Sequence, residues 1–137
     1  FSEYKDASNG WPLYGPPNGF GLMQLDNPTP TVKQLWNWKE NLKAGRALYY
    51  KKREKAKRKM EVHPYTEEQL LIEAFQSYNS GEKFGYWKWK RDIQKDENGV
   101  EVDKGNWEKR PNVPILNGHS KPYGEEVYDI YKQLQNK

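Results

Sequence analysis

The sequence predicts a mostly α domain of the α+β class with one small β-hairpin, and three patterns carry that prediction. Leu70, Leu71, Ala74, Phe75 and Tyr78 follow a Thr66-Glu67-Glu68-Gln69 start at helical spacing. Leu35, Trp38, Leu42 and Tyr49 form a second, longer stripe of the same period. Between Tyr86 and Trp107 the period falls to two on either side of Asn98-Gly99, which is a hairpin signal. A chain of 137 residues suits one core and leaves no room for two, so residues 1–137 read as one domain.

Taken in order, the first thirty residues hold Gly10, Pro12, Gly15, Pro16, Pro17, Gly19, Gly21, Pro28 and Pro30, too dense a punctuation for a helix. They read as a long ordered loop that ends against Gly21-Leu22-Met23-Gln24, and loops of that length in compact domains commonly serve function. Thr31 is a fair N-cap for a helix over 32–60, with Ala44, Ala47 and Leu48 on the apolar side and Trp36 off it. His63-Pro64 breaks that helix. The capping box at Thr66 and Gln69 starts the next, over 66–79, which stops at Asn79-Ser80-Gly81.

Tyr86, Lys88 and Lys90 then alternate with Trp87, Trp89 and Arg91, and Val100 and Val102 continue the alternation past the turn. The Lys side of this hairpin should face solvent. A last helix over 124–135 puts Val127, Ile130, Tyr131 and Leu134 on one face.

Composition narrows the function classes. Six Trp, ten Tyr and four Phe dominate a hydrophobic fraction of only 34%. That suits a small core plus an aromatic-lined groove, and flat rings bind sugars well. There is no cysteine, which removes disulfides and thiolate chemistry. His63 and His119 lack ligand-spaced neighbours, which argues against a catalytic zinc. No metal or other cofactor is expected. No segment approaches the roughly 18 apolar residues of a membrane span, and Phe1-Ser2-Glu3 does not open a signal peptide.

The net charge of +4 comes mostly from Lys51 to Lys59. This run either meets an anionic polymer or is the solvated basic end of a helix, and we read it as the latter. No aromatic interleaves it, which argues against nucleic-acid stacking.

Three blocks in order resemble the lysozyme-like superfamily of goose-type lysozymes and soluble lytic transglycosylases, and related phage and secretion-system muramidase domains. The first is Gly21-Leu22-Met23-Gln24, which in the family floors the cleft, its Gln touching substrate. The second is Leu35-Trp36-Asn37-Trp38-Lys39-Glu40-Asn41-Leu42-Lys43-Ala44-Gly45, similar to the helix after the cleft. The third is Tyr78-Asn79-Ser80-Gly81, similar to a motif whose Tyr hydroxyl bonds the catalytic Glu and whose Asn lines the sugar site. The blocks span roughly residues 15–130.

The resemblance implies a lysozyme-like fold and cleavage of peptidoglycan glycan strands at the MurNAc-GlcNAc β-1,4 bond. It implies substrate contacts at Met23, Gln24, Tyr78 and Asn79, with Trp87 and Trp89 on the groove wall, and no cofactor. It also implies a secreted antibacterial effector or phage-type toxin, delivered to the periplasm or cell wall. Peptidoglycan is its partner, and a cognate immunity or inhibitor protein would suit such a toxin.

The general acid is the open point. Glu3 lies eighteen residues before Gly21, near the family interval, but Tyr4 follows it and almost nothing precedes it. The resemblance to the muramidase domains instead implies an acid upstream of Phe1, on a helix or separate segment cut away from this chain. The third alternative is a domain without catalysis. Asp26 is either a second carboxylate that positions water or a cap for the Asn27-Pro28 turn. Glu73 reads as an exposed helix residue. Two readings from other classes stand beside the enzyme: a non-catalytic peptidoglycan-binding module, and a basic nucleic-acid-binding domain using Lys51 to Lys59.

Overall fold

The computed structural model describes residues 14–15, 19–80 and 85–137. They fall into two compact units, residues 1–50 and 51–137. In the first unit, β1 (Tyr14–Gly15) and β2 (Gly19–Phe20) pair antiparallel, with Tyr14 opposite Phe20. Phe20 and Leu25 then exchange backbone hydrogen bonds of 3.0 and 2.9 Å across a tight turn. The turn needs left-handed backbone at Gly21 (φ 73) and at Gln24 (φ 49). The described part of the expected long loop is therefore a small pinned ribbon.

Thr31 caps α1 (Val32–Trp36) in a full capping box with Gln34. The single helix expected over 32–60 is broken at Asn37, and α2 runs Trp38–Met60. Asn37 has extended backbone (φ −111, ψ 110), and its Oδ1 accepts from the amides of Lys39 and Glu40 at 3.0 and 3.4 Å. An Asn that caps the following turn offers the chain an alternative to continuing the helix, and here that alternative wins.

The second unit is built around α3 (Glu67–Ser80). Its capping box is formed as expected, Thr66 Oγ1 accepting from the Gln69 amide and Gln69 Oε1 from the Thr66 amide. The helix is enclosed more widely than its apolar stripe foretold: Leu70 to Ala74, Gln76 and Ser77 are all buried. Ala56 and Met60 at the end of α2 join that core, as do Tyr86, Trp107 and Val113.

The expected hairpin is present as two successive antiparallel ladders. β3 (Trp87–Lys90) pairs with β6 (Asn106–Lys109), and β4 (Ile93–Lys95) pairs with β5 (Glu101–Asp103). Its tip is a three-residue loop in which Gly99 N–H donates to the Asp96 carbonyl and Asp96 N–H to the Val100 carbonyl. Lys88 and Lys90 are exposed, as expected.

Three rings anchor the base of the hairpin. His63 stacks flat on Trp89 with centroids 3.8 Å apart, and Trp107 meets both edge-on. Trp107 Nε1 also donates to the Pro64 carbonyl at 3.0 Å. α4 (Tyr123–Gln135) packs along α3, its Gly124 amide donating to the buried Gln76 Oε1 at 2.9 Å. Ile130 and Leu134, from the shared apolar face, are instead 55% and 60% exposed.

Asp103 pins the hairpin where its two ladders meet. Its carboxylate accepts from the Asp92 amide, Trp89 Nε1 and the Gly105 amide, and these bonds, with Arg91 nearby, lower its pKa to about 2. A folded pKa below the unfolded one adds stability that is full above the unfolded value and is lost as pH falls through the folded value. The junction of the two ladders should thus loosen as pH falls from the ordinary aspartate value of 3.8 to about 2. Following the Trp89 indole N–H signal by NMR should show its transition in that window; a transition centred at the ordinary carboxylate value would contradict the assignment.

Candidate functional site

In the first unit, the Gly21-Leu22-Met23-Gln24 turn is buckled onto α2 by Asn41. That side chain is fully buried, accepting from the Met23 amide at 3.0 Å and donating to the Phe20 carbonyl at 3.1 Å. One turn further on, Gly45 leaves the space Met23 occupies, since a Cβ there would stand 2.4 Å from the Met23 side chain. The second sequence block therefore serves the first: its Asn and Gly hold the turn in shape.

The carboxamide of Gln24 lies over a floor of two glycines. A Cβ on Gly15 or Gly19 would come within 1.8 or 2.5 Å of Gln24 Oε1. Gln24 Nε2 donates to the Gly21 carbonyl at 2.7 Å, while the residue as a whole is exposed. Its Oε1 has no hydrogen-bond donor among the described residues. The amide nitrogen is thus committed to the turn, and the oxygen lies against the two glycines. Asp26, in the same unit, is exposed and makes no hydrogen bond or ion pair among the described residues, so the bond that the turn-capping alternative requires is not formed. Glu3 lies outside the described residues.

Glu73 corrects the sequence reading most sharply. It was expected on the exposed side of α3, yet it is 2% exposed. Lys59 Nζ meets its Oε1 at 2.6 Å, and the amides of Tyr86 and Trp87 donate to its Oε2 at 2.9 and 2.8 Å. Gly85 makes the approach possible, because a Cβ there would lie 2.2 Å from Glu73 Oε1. Both oxygens are committed to structure, as a buried carboxylate demands. The same pair turns Lys59 out of the solvated role expected of the basic run. Arg53 is bound to Glu67 at 2.9 Å, while Lys51, Lys55, Lys57 and Arg58 are exposed, as expected of a basic helix end.

The other expected site residues divide between the units. Met23 and Gln24 belong to the first, and Tyr78, Asn79, Trp87 and Trp89 to the second. Asn79 is exposed near the end of α3, and Tyr78 is half-buried. Burial, with a smaller contribution from Tyr123, pushes the Tyr78 hydroxyl up to about 12, so it stays a hydrogen-bond donor at any physiological pH. Trp89 is occupied by its stack on His63 and its bond to Asp103.

Trp87 does line a concavity, of about 280 Å³, but Tyr78, Asn79 and Trp89 do not. Ile72, Tyr86, Trp87 and Tyr128 form its apolar and aromatic lining, and Glu68, Glu125, Asp129, Lys121 and Lys132 its charged part. Trp87 is held by a 2.8 Å bond from Nε1 to the Gln69 carbonyl. Glu125 takes the Tyr86 hydroxyl at 2.5 Å and Lys109 at 2.7 Å. Burial raises the Glu125 pKa, and Lys109 and Tyr86 more than offset that, leaving it below the ordinary value. Burial and the Glu125 bond together push the Tyr86 hydroxyl up.

Sequence reading missed these charged residues. The available signal was Glu125 and Asp129 one turn apart on a helix rich in tyrosine, and it says nothing of what they face. Among the described residues no group of His, Cys, Asp and Glu is arranged to hold a metal ion, and no helix is long and apolar enough to cross a membrane. Comparison with family models, curated proteins and solved structures found no match.

Glu73→Gln should cost about 3 kcal/mol of stability, the low end for breaking a buried pair because Lys59 is partly solvated. Urea denaturation measures this. The double replacement K59M/E73Q, which removes both charges but keeps an acceptor for the Tyr86 and Trp87 amides, should recover part of the loss, and a cost for Glu73→Gln typical of a surface pair, under about 1 kcal/mol, would contradict the assignment.

Proposed function

We propose that this chain acts on peptidoglycan glycan strands, cleaving the MurNAc-GlcNAc β-1,4 bond as a muramidase or lytic transglycosylase of lysozyme-like fold. The observation that supports the reading best is Gln24, an exposed residue whose carboxamide is set over Gly15 and Gly19 on a turn locked to α2 by Asn41. Carbohydrate recognition needs rigid hydrogen-bonding groups set beside an apolar floor, and this turn supplies both. Met23 shares the turn, and the family resemblance adds Tyr78 and Asn79 of the second unit as candidate contacts, the Tyr78 hydroxyl as a permanent donor. Cleavage requires a carboxylic acid to protonate the leaving oxygen. Glu3 is the candidate for that proton within this sequence, with Asp26 as the second carboxylate. The setting that suits such an activity is the cell wall of a target bacterium, with an inhibitor protein protecting the producer.

A second reading, the non-catalytic peptidoglycan-binding module, draws on a specific observation. Glu73 is the buried carboxylate among the described residues, and its oxygens are taken by Lys59 and two amides. A general acid needs a partly desolvated and available carboxyl.

Incubation with purified cell-wall sacculi separates the two. The enzyme reading expects soluble muropeptides, with release falling about a hundredfold in Gln24→Ala through lost substrate positioning, and abolished in Glu3→Gln if Glu3 is the acid. Binding to sacculi without release would establish the module instead. Neither binding nor release would end both.

A further inference from the structure

Two of the chain's four Asn-Gly pairs fall wholly among the described residues, Asn98-Gly99 and Asn117-Gly118, both in the second unit. An asparagine followed by glycine can cyclise. The glycine amide nitrogen closes a small ring on the side-chain carbonyl carbon, with no Cβ beside it to obstruct the approach. The two pairs are matched in exposure and in backbone. All four residues are exposed, the glycines have φ 75 and φ 84, and nothing stands within 4 Å of where a Cβ on either would lie. They differ in hydrogen bonding.

Around Asn98, the Gly99 amide donates to the Asp96 carbonyl at 3.0 Å. Asp96 Oδ1 accepts from the amides of Asn98 and Val100, each at 2.9 Å. The nitrogen that would attack is tied, and so is the backbone on either side of it. Around Asn117, one bond closes the turn, from the His119 amide to the Leu116 carbonyl at 3.0 Å. With φ 84 at its third residue this is a type II turn, and its closing bond does not use the Gly118 amide. Neither Asn117 nor Gly118 makes a hydrogen bond among the described residues.

We propose that Asn117-Gly118 is a self-modification site, at which the folded chain converts Asn117 to isoaspartate and aspartate through a cyclic imide. The Gly118 nitrogen attacks Asn117 Cγ, and a new C–N bond forms as the bond from Cγ to Nδ2 breaks. Nδ2 leaves as ammonia, taking up the proton that the Gly118 nitrogen gives off. Water then opens the imide at one of its two carbonyls. Opening at the side-chain carbonyl restores an aspartyl link, and opening at the main-chain carbonyl routes the chain through Cβ as isoaspartate.

The conversion falls on the connector that leads into α4. Just beyond the turn, His119 Nδ1 meets Glu126 Oε2 at 2.7 Å and Lys121 Nζ meets Asp129 Oδ2 at 2.8 Å, so the connector is fastened to the helix there. An extra main-chain carbon in the turn breaks the spacing that its closing bond requires, and the new carboxylate adds a negative charge near that of Glu126. The product turn therefore holds His119 less well. This chemistry needs only water and is independent of any action on peptidoglycan.

The test is incubation of the full chain in mildly alkaline buffer, with peptide mapping by mass spectrometry to follow amide-to-acid conversion at each asparagine. In the folded chain Asn117 should convert at least about tenfold faster than Asn98, the factor that one net hydrogen bond puts on a barrier. In urea, where neither turn survives, the two should convert at similar rates. The product at Asn117 should include isoaspartate, which only the imide route yields. Equal rates in the folded chain would overturn the proposal, as would conversion of Asn98 ahead of Asn117. So would an advantage for Asn117 that persists undiminished in urea, or a product that is aspartate alone.

Discussion

The second unit depends on the buried carboxylate of Glu73. Three chain segments meet there: the end of α2 through Lys59, α3 through Glu73 itself, and the entry to the hairpin through the amides of Tyr86 and Trp87. Burying a carboxylate costs several kcal/mol, and only partners on its oxygens recover it. The arrangement therefore selects one position for the hairpin entry. Once Tyr86 is placed, its ring enters the core beside Ile72 and Val113, and its hydroxyl reaches Glu125 on α4. Trp87, the next residue, forms one wall of the concavity. An interior ion pair thus sets the shape of a surface site.

The first unit uses a neutral version of the same device. Asn41 can donate and accept at once, so one buried amide satisfies both the Met23 N–H and the Phe20 carbonyl. The turn is held without burying a charge, and strain at Gln24 (φ 49) persists because the surroundings over-determine it. Such strain is common where a side chain must be presented to a ligand.

Much of the architecture was legible because its signals are local. The Thr66 capping box, the stripe that follows and the alternation around Asn98-Gly99 each lie within one continuous stretch of chain, and each formed. The break at Asn37 was also written locally, but in side-chain capping, which periodicity does not register. Glu73 was illegible for another reason. Its partners lie 14 residues earlier, at Lys59, and 13 and 14 residues later, at Tyr86 and Trp87. No helical pattern distinguishes a carboxylate that will be covered from one that faces water. The exposure of Ile130 and Leu134 has the same origin, since α4 is oriented by Gly124 and Gln76 and not by its own apolar stripe.

The claim that Glu73 organises the second unit is tested most directly by native-state hydrogen exchange at the two amides it binds. Tyr86 and Trp87 lie at the mouth of a hairpin, where fraying would ordinarily give fast exchange. If the carboxylate holds them, both amides should be protected to the same degree as the central amides of α3, and both should lose that protection together in Glu73→Gln. Exchange at the rate of the exposed hairpin tip would contradict the account.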